Sequence, residues 1–251
     1  KGQVRGPQTA IVNGTAGTEI YTDDLGRIKV RFPWDRKVPG RSTDMPDDKA
    51  TCWIRVAQMW AGNGYGTMFI PRIGMEVVVD FLEGDPDKPI AVGCVYNGIN
   101  KPPYALPGEA TKSTIKTLSS KGGGGTNELR FEDKKGSEEL FIQAEKDFNV
   151  NVKASKHEGI GGNSDLKIAG YGRTMIEGNH DHVVVGDSVR RVEGDCMIGS
   201  KGTLQIMSGS ADLRLFGKSQ VQIAAKNDIQ VSGGMQLIME ASALISLKVG
   251  S

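Results

Sequence analysis

This 251-residue chain has little cysteine, little histidine and few aromatic residues, and each scarcity excludes something. Cys52, Cys94 and Cys196 stand far apart, so no metal-binding spacing is available. An odd cysteine count without a pairing framework fits synthesis in a reducing cytoplasm. Three histidines are too few to argue a serine–histidine–acid arrangement. A net charge of +1 gives no overall basic field to attract nucleic acid or a membrane surface. No apolar run is long enough to span a bilayer, and no signal peptide is visible. The chain opens at Lys1 rather than at methionine, which reads as a C-terminal fragment of something longer.

Glycine is plentiful, at 34 residues, and it is placed in rhythm. Gly162, Gly170, Gly178, Gly186, Gly194 and Gly202 follow one another every eight residues. Ile168, Ile176, Val184 and Val192 stand two positions before four of them. The phase then slips by one and the rhythm resumes through Leu215, Ile223, Val231, Met239 and Leu247. A period held this long marks a repeat architecture. Eight does not fit a helical stripe of 3.6. Inside a unit, Val221, Ile223, Ile229 and Val231 alternate with Gln220, Gln222, Asp228 and Gln230, the pattern of a half-buried strand. A small residue then lets the chain turn, glycine being tolerant of unusual dihedrals. Each octad is therefore a short strand plus a bend. One chain could wind alone, or three could intertwine; periodicity does not separate the two. The slip, seven residues from Gly202 to Gly209, is expected to omit one residue at a corner near 207–210.

The first hundred residues are organised differently. "GRIKVRF" alternates Ile28, Val30 and Phe32 with Arg27, Lys29 and Arg31. "TCWIRVAQMW", "MEVVVDFLEGD" and "IAVGCVYNG" read as further strands, separated by turn residues in "AGNGYG" and "GDPDKP". Several short strands with little helix suggest a small barrel such as the five-stranded OB-fold.

"GRIKVRFPWD", the long stretch from "WIRVAQMWAGNGYG" to "PIAVGCVYN", and the valine–glycine octads together resemble the VgrG family of type VI secretion spike proteins, similar to the spikes of contractile phage tails. The resemblance covers nearly all of the chain. It implies an all-β fold: an OB-fold barrel (residues 1–105), a linker (106–126), an irregular start of a β-prism (127–160) and an intertwined, trimeric octad β-helix (161–251). It implies a rigid homotrimeric spike, secreted through the contractile apparatus, with N-terminal base domains that would join it to a tail tube.

The remaining chemistry is sparse. Asp23, Asp24, Asp47, Asp48, Glu138 and Glu139 fall in turns or on outward faces, where solvation accounts for them better than glycosidase chemistry. Four glycines in "SSKGGGGTN" lack the following Gly-Lys-Ser/Thr of a phosphate loop and read as a flexible connection. No enzyme is expected within this chain, and no cofactor is required. Trp34, Trp53, Trp60, Tyr65 and Phe69 near "KVRFPWDRK" keep a second function open, an OB-type nucleic-acid or saccharide module on a β-helical stalk. The neutral net charge argues against specific nucleic acid.

Two places merit attention. His180 and His182 share the inward phase with Val184, and Arg190 falls inward one repeat later. Three chains would gather three copies of each on one axis, where imidazoles could hold a transition metal, the arginines could hold an anion, or the layer could be a hydrated polar plug that fixes register. The second place is the C-terminus. Leu244, Ile245, Leu247, Val249, Gly250 and Ser251 end the repeat with no cap sequence, yet stacked repeats need one. Open strand edges invite another β-structure, and the resemblance implies a PAAR-type tip protein there, together with secreted effectors.

Overall fold

The structure, a computed structural model, describes residues 2–35, 48–49, 51–234, 236–242 and 245. It forms two compact units, Lys1–Asn163 and Ser164–Ser251.

The first unit begins with a five-stranded sheet in the order β2-β1-β4-β5-β3: β1 Gln8–Asn13, β2 Lys29–Arg31, β3 Arg55–Val56, β4 Glu76–Phe81 and β5 Pro89–Val95. Its edges meet. Ile28, beside β2, and Ile54, beside β3, exchange both backbone hydrogen bonds at 2.9 and 2.8 Å, and this closes the sheet into a barrel. Closure removes the free edges that an open sheet would expose. An extra residue in β5 helps the curve: Val78 faces Gly93 and Val79 faces Ala91, so Val92 is left over as a bulge. Alternation decides the inside. Ala10, Val12, Ile28, Val30, Phe32, Ile54, Val77, Val79, Phe81 and Ala91 are buried, while Arg27, Lys29 and Arg31 lie on the wetter face.

Strand β1, between β2 and β4, is absent from the sequence reading. Its pattern is blurred, because Ile11 on the outer face interrupts the contrast between Ala10 and Val12 inside.

Beyond the barrel, β6 Lys112–Lys116, β7 Glu128–Glu132 and β8 Glu139–Gln143 form an antiparallel sheet in chain order. This corrects the extent of the expected linker. Residues 112–116 pair in full with β7, Lys112 opposite Glu132 and Lys116 opposite Glu128. The strand is easily overlooked because only Ile115 is strongly apolar. The four glycines are a hairpin end, where the Ser119 amide donates to the Gly125 carbonyl at 2.8 Å.

From β8 onward the chain bends in an octad rhythm, at 145–146, 153–154 and 161–162 in the first unit. In the second unit it bends at 169–170, 177–178, 185–186, 193–194 and 201–202. Among the described residues, none after Gln143 belongs to a strand paired within this chain.

Two expectations about the octads change. The corner after Gly202 spans three residues, Gly209, Ser210 and Ala211, and the next bends fall at 218–219 and 226–227. One residue is added at that corner, not omitted. Either change reverses the parity of the inward slots, which is why the sequence spacing alone misled. The glycines also work differently. Every described glycine with positive φ lies at Gly136 or earlier, so the octad glycines do not supply left-handed corners. A Cβ at Gly170, Gly178, Gly186, Gly194 or Gly202 would meet nothing within 4 Å in this chain. At Gly217, just before its corner, a Cβ would instead lie 2.5 Å from the Gln220 carbonyl oxygen.

Candidate functional site

The octads present a long row of uncovered apolar side chains. In the inward phase, Ile176, Val184 and Val192 are 47%, 44% and 45% exposed, whereas Val183, Val185 and Val189 are 85%, 101% and 85% exposed. After the three-residue corner the odd-numbered set takes over: Leu213, Val221 and Ile229 are 54%, 53% and 53% exposed, against 87% for Phe216. Leu166, in the first octad of its unit, departs from this order. One chain therefore half covers one face of its own repeat and can do no more. Taking a Val, Leu or Ile side chain fully from water is worth about 1.5–3 kcal/mol. A row of this length is far larger than a soluble monomer leaves open.

His180 and His182 stand two residues apart between the bends at 177–178 and 185–186, and Arg190 takes the position equivalent to His182 one octad later. All three are exposed in the single chain. Among the described residues no three metal-ligating side chains gather within one chain. Of the expected tip-docking residues, Ile245 is described and about half exposed. Leu244, Leu247, Val249, Gly250 and Ser251 lie outside the described residues.

The acids serve local structure. Asp23 accepts from the Leu25 and Arg27 amides and from Arg27 Nε at 2.6 Å, closing the turn before β2. Glu138 accepts from the Gly136 amide at 2.9 Å in the turn before β8. Asp47 lies outside the described residues. Glu19 engages the glycine hairpin: its carboxylate accepts from the Ser120 hydroxyl at 2.8 Å and from the Gly122 amide. Those two bonds hold its pKa below the usual carboxylate range. The Gly122 amide, a donor of the kind a phosphate loop uses, thus meets an internal anion, and Glu19 ties the hairpin to the barrel side.

The aromatic residues are largely engaged with each other. Tyr21 stacks on Trp53 with centroids 5.1 Å apart, and Lys29 sits 5.0 Å from the Trp53 ring. Trp34 stacks on Phe32, and Trp60 meets Tyr65 edge-on.

The sequence reading missed the polar face of the β6–β8 sheet. Glu128 is buried there and accepts from the Tyr104 hydroxyl and from Thr114 Oγ1 at 3.0 Å, with Lys116 Nζ 3.3 Å away. Burial pushes the Glu128 carboxyl up, but the three donors outweigh it and its pKa lies below the ordinary value. Arg130 donates to Tyr104 at 3.0 Å and to Glu139 at 2.6 Å, and its guanidinium lies 4.3 Å from the Phe141 ring. These partners are scattered from residue 104 to 141, so no local motif announces them. One hint was available, the alternation of Glu128, Arg130 and Glu132 with Leu129 and Phe131.

Comparison with known proteins bears on both parts of the chain. A family model described as the type VI secretion system/phage-baseplate injector OB domain matches residues 10–96. One described as the bacteriophage T4 gp5 C-terminal trimerisation domain matches residues 113–231. The type VI secretion system spike protein VgrG1a of Pseudomonas aeruginosa is 44% identical over 92% of this chain and 35% of its own length. VgrG4b of the same organism, also a spike protein, is 52% identical over 64% of this chain and 19% of its own length. The actin cross-linking toxin VgrG1 of Vibrio cholerae is 38% identical over 86% of this chain and 18% of its own length. The chain spans about a third or less of the length of these relatives.

Proposed function

Because this chain belongs to the VgrG family of type VI secretion spike proteins, we propose that it acts structurally, as the shaft of a trimeric, membrane-puncturing spike. The observation that carries this reading is the row of octad side chains that one chain leaves half exposed. Two further copies can cover that row, and chains that intertwine supply the strand pairing that each lacks alone. The result is stiff along its axis, because every octad is cross-linked to neighbours by backbone hydrogen bonds. Light scattering tests it directly: three chain masses are expected, and a stable, well-folded monomer overturns the reading.

The finer parts of the proposal follow from the trimer. Synthesis takes place in a reducing cytoplasm, which suits three exposed, unbridged cysteines. Delivery is by the contractile apparatus, into target cells, with a tail tube joined through domains outside this chain. The C-terminal edges at 244–251 are the seat for a PAAR-type tip protein, and effectors travel on the assembly. A pull-down comparing the intact chain with one lacking 245–251 addresses the seat. Equal capture by a still-trimeric truncation places the docking surface elsewhere. His180, His182 and Arg190 form a polar layer facing the three-fold axis, in which an anion or a transition metal can be held. Metal analysis of the purified trimer distinguishes the metal from the anion or water.

A further inference from the structure

The face of the β6–β8 sheet opposite Glu128 has no covering within the described chain. Two cross-strand rows lie on it, Ile115–Leu129–Ile142 and Ser113–Phe131–Leu140. Ile115, Phe131, Leu140 and Ile142 are each about half exposed, and no charged side chain stands among the six. We infer that this face is where three copies of the chain first meet, and that the meeting sets the register in which their octads intertwine. The inference rests on the trimeric reading above.

The occupant follows from continuity. Leu140 and Ile142 precede the bend at 145–146 by the same intervals as Phe148 and Val150 precede the bend at 153–154. The open face of β8 is therefore the first turn of the same apolar row. The trimerisation-domain match also begins at residue 113, inside β6, well before the first unpaired octad. An uncharged face, apolar but for Ser113, in phase with the trimer row is complementary to copies of itself. The opposite face is already taken: Tyr104 lies 4.7 Å from Lys112 Nζ and is bonded to Glu128 and Arg130.

The register role follows from what the octads lack. On either side of the corner at 209–211 their inward slots recur every eight residues, so along each stretch a copy displaced by one octad still sets mostly apolar against apolar. The β6–β8 face does not repeat. Its strands also pair within one chain, by hairpins that close short loops, so it can form before any encounter. Among the described residues the octads have no such in-chain pairing and must wait for partners.

The test uses the full chain with Cys52, Cys94 and Cys196 changed to serine and a spin label on Ser219→Cys. The wild-type background, refolded from denaturant, should reach trimer mass and show one inter-label distance. Failure of that background to trimerise overturns the trimeric reading itself. Given a trimer, Phe131→Asp with Ile142→Asp should slow assembly about tenfold or more, or stop it, and add further label distances from staggered chains. Ile223→Asn, which alters one octad slot, should keep the wild-type rate and a single distance. A double variant that assembles at the wild-type rate with one distance overturns the inference, as does an Ile223→Asn chain with the same defect. Hydrogen exchange over 128–132 checks that the sheet still pairs. Phe131→Ser, at a position already half exposed, carries the test alone should the double variant lose that pairing.

Discussion

At the scale of single residues, the chain uses charge where it is hidden and smallness where it is crowded. Glu128 ties Tyr104, Thr114 and Lys116 together from a buried position, so Glu128→Gln should lower stability by about 1–3 kcal/mol at neutral pH. The pH dependence has a definite sign. The folded-state pKa lies below the unfolded value of about 4.3, so the contribution is complete above that value and is lost as pH falls through the folded pKa. Thermal midpoints measured from pH 7 to pH 3 should show this loss in the native chain and a flatter profile in Glu128→Gln. Gly186 poses the opposite case. Nothing in its own chain lies within 4 Å of a Cβ there, so the trimeric reading places any close neighbour in another copy. Gly186→Val should therefore leave the unassembled chain unchanged and lower the melting midpoint of the trimer; an unaltered trimer midpoint would show the corner to be open.

At the scale of elements, the three-residue corner Gly209–Ala211 allows a sharp test. Deleting Ser210 leaves an ordinary two-residue corner and keeps Leu213 and Leu215 in the same slots before the next bend. Deleting Arg214, within the strand, turns Leu213 to the other face. The first deletion should still give a trimer by light scattering, and the second should not. His182→Val tests another element, the polar layer. If water fills that layer, the trimer should hold or grow more stable; if a metal fills it, bound metal and stability should fall together. Much of this was legible beforehand, since alternation exposes any strand with one apolar and one polar face, as in Ile28 to Phe32. It failed at β1, where Ile11 sits outside, and at β6, where Thr114 and Lys116 face a buried carboxylate rather than a core. It also failed to give the direction of the slip, because one residue more and one residue fewer have the same effect on parity.

At the scale of the whole molecule, the barrel and the octads are built on different economies. Among the described residues the barrel closes within one chain, with ten apolar core residues buried and its edges joined through Ile28 and Ile54. The octads are a half-structure. Dilution or mild denaturant should accordingly release a species in which tryptophan fluorescence of the barrel persists while octad amides exchange freely; simultaneous loss of both signals would show the barrel to depend on assembly. The corner at Gly209–Ala211 has a mechanical meaning as well. Chains carrying one strict repeat can creep past each other by whole periods under a push along the axis. Among the described residues each chain carries one odd tooth, so a chain shifted by one period sets its long corner beside its neighbours' short ones. The corner acts as a detent, and a shaft driven tip-first would resist shear at that level even where its apolar seams alone would slide.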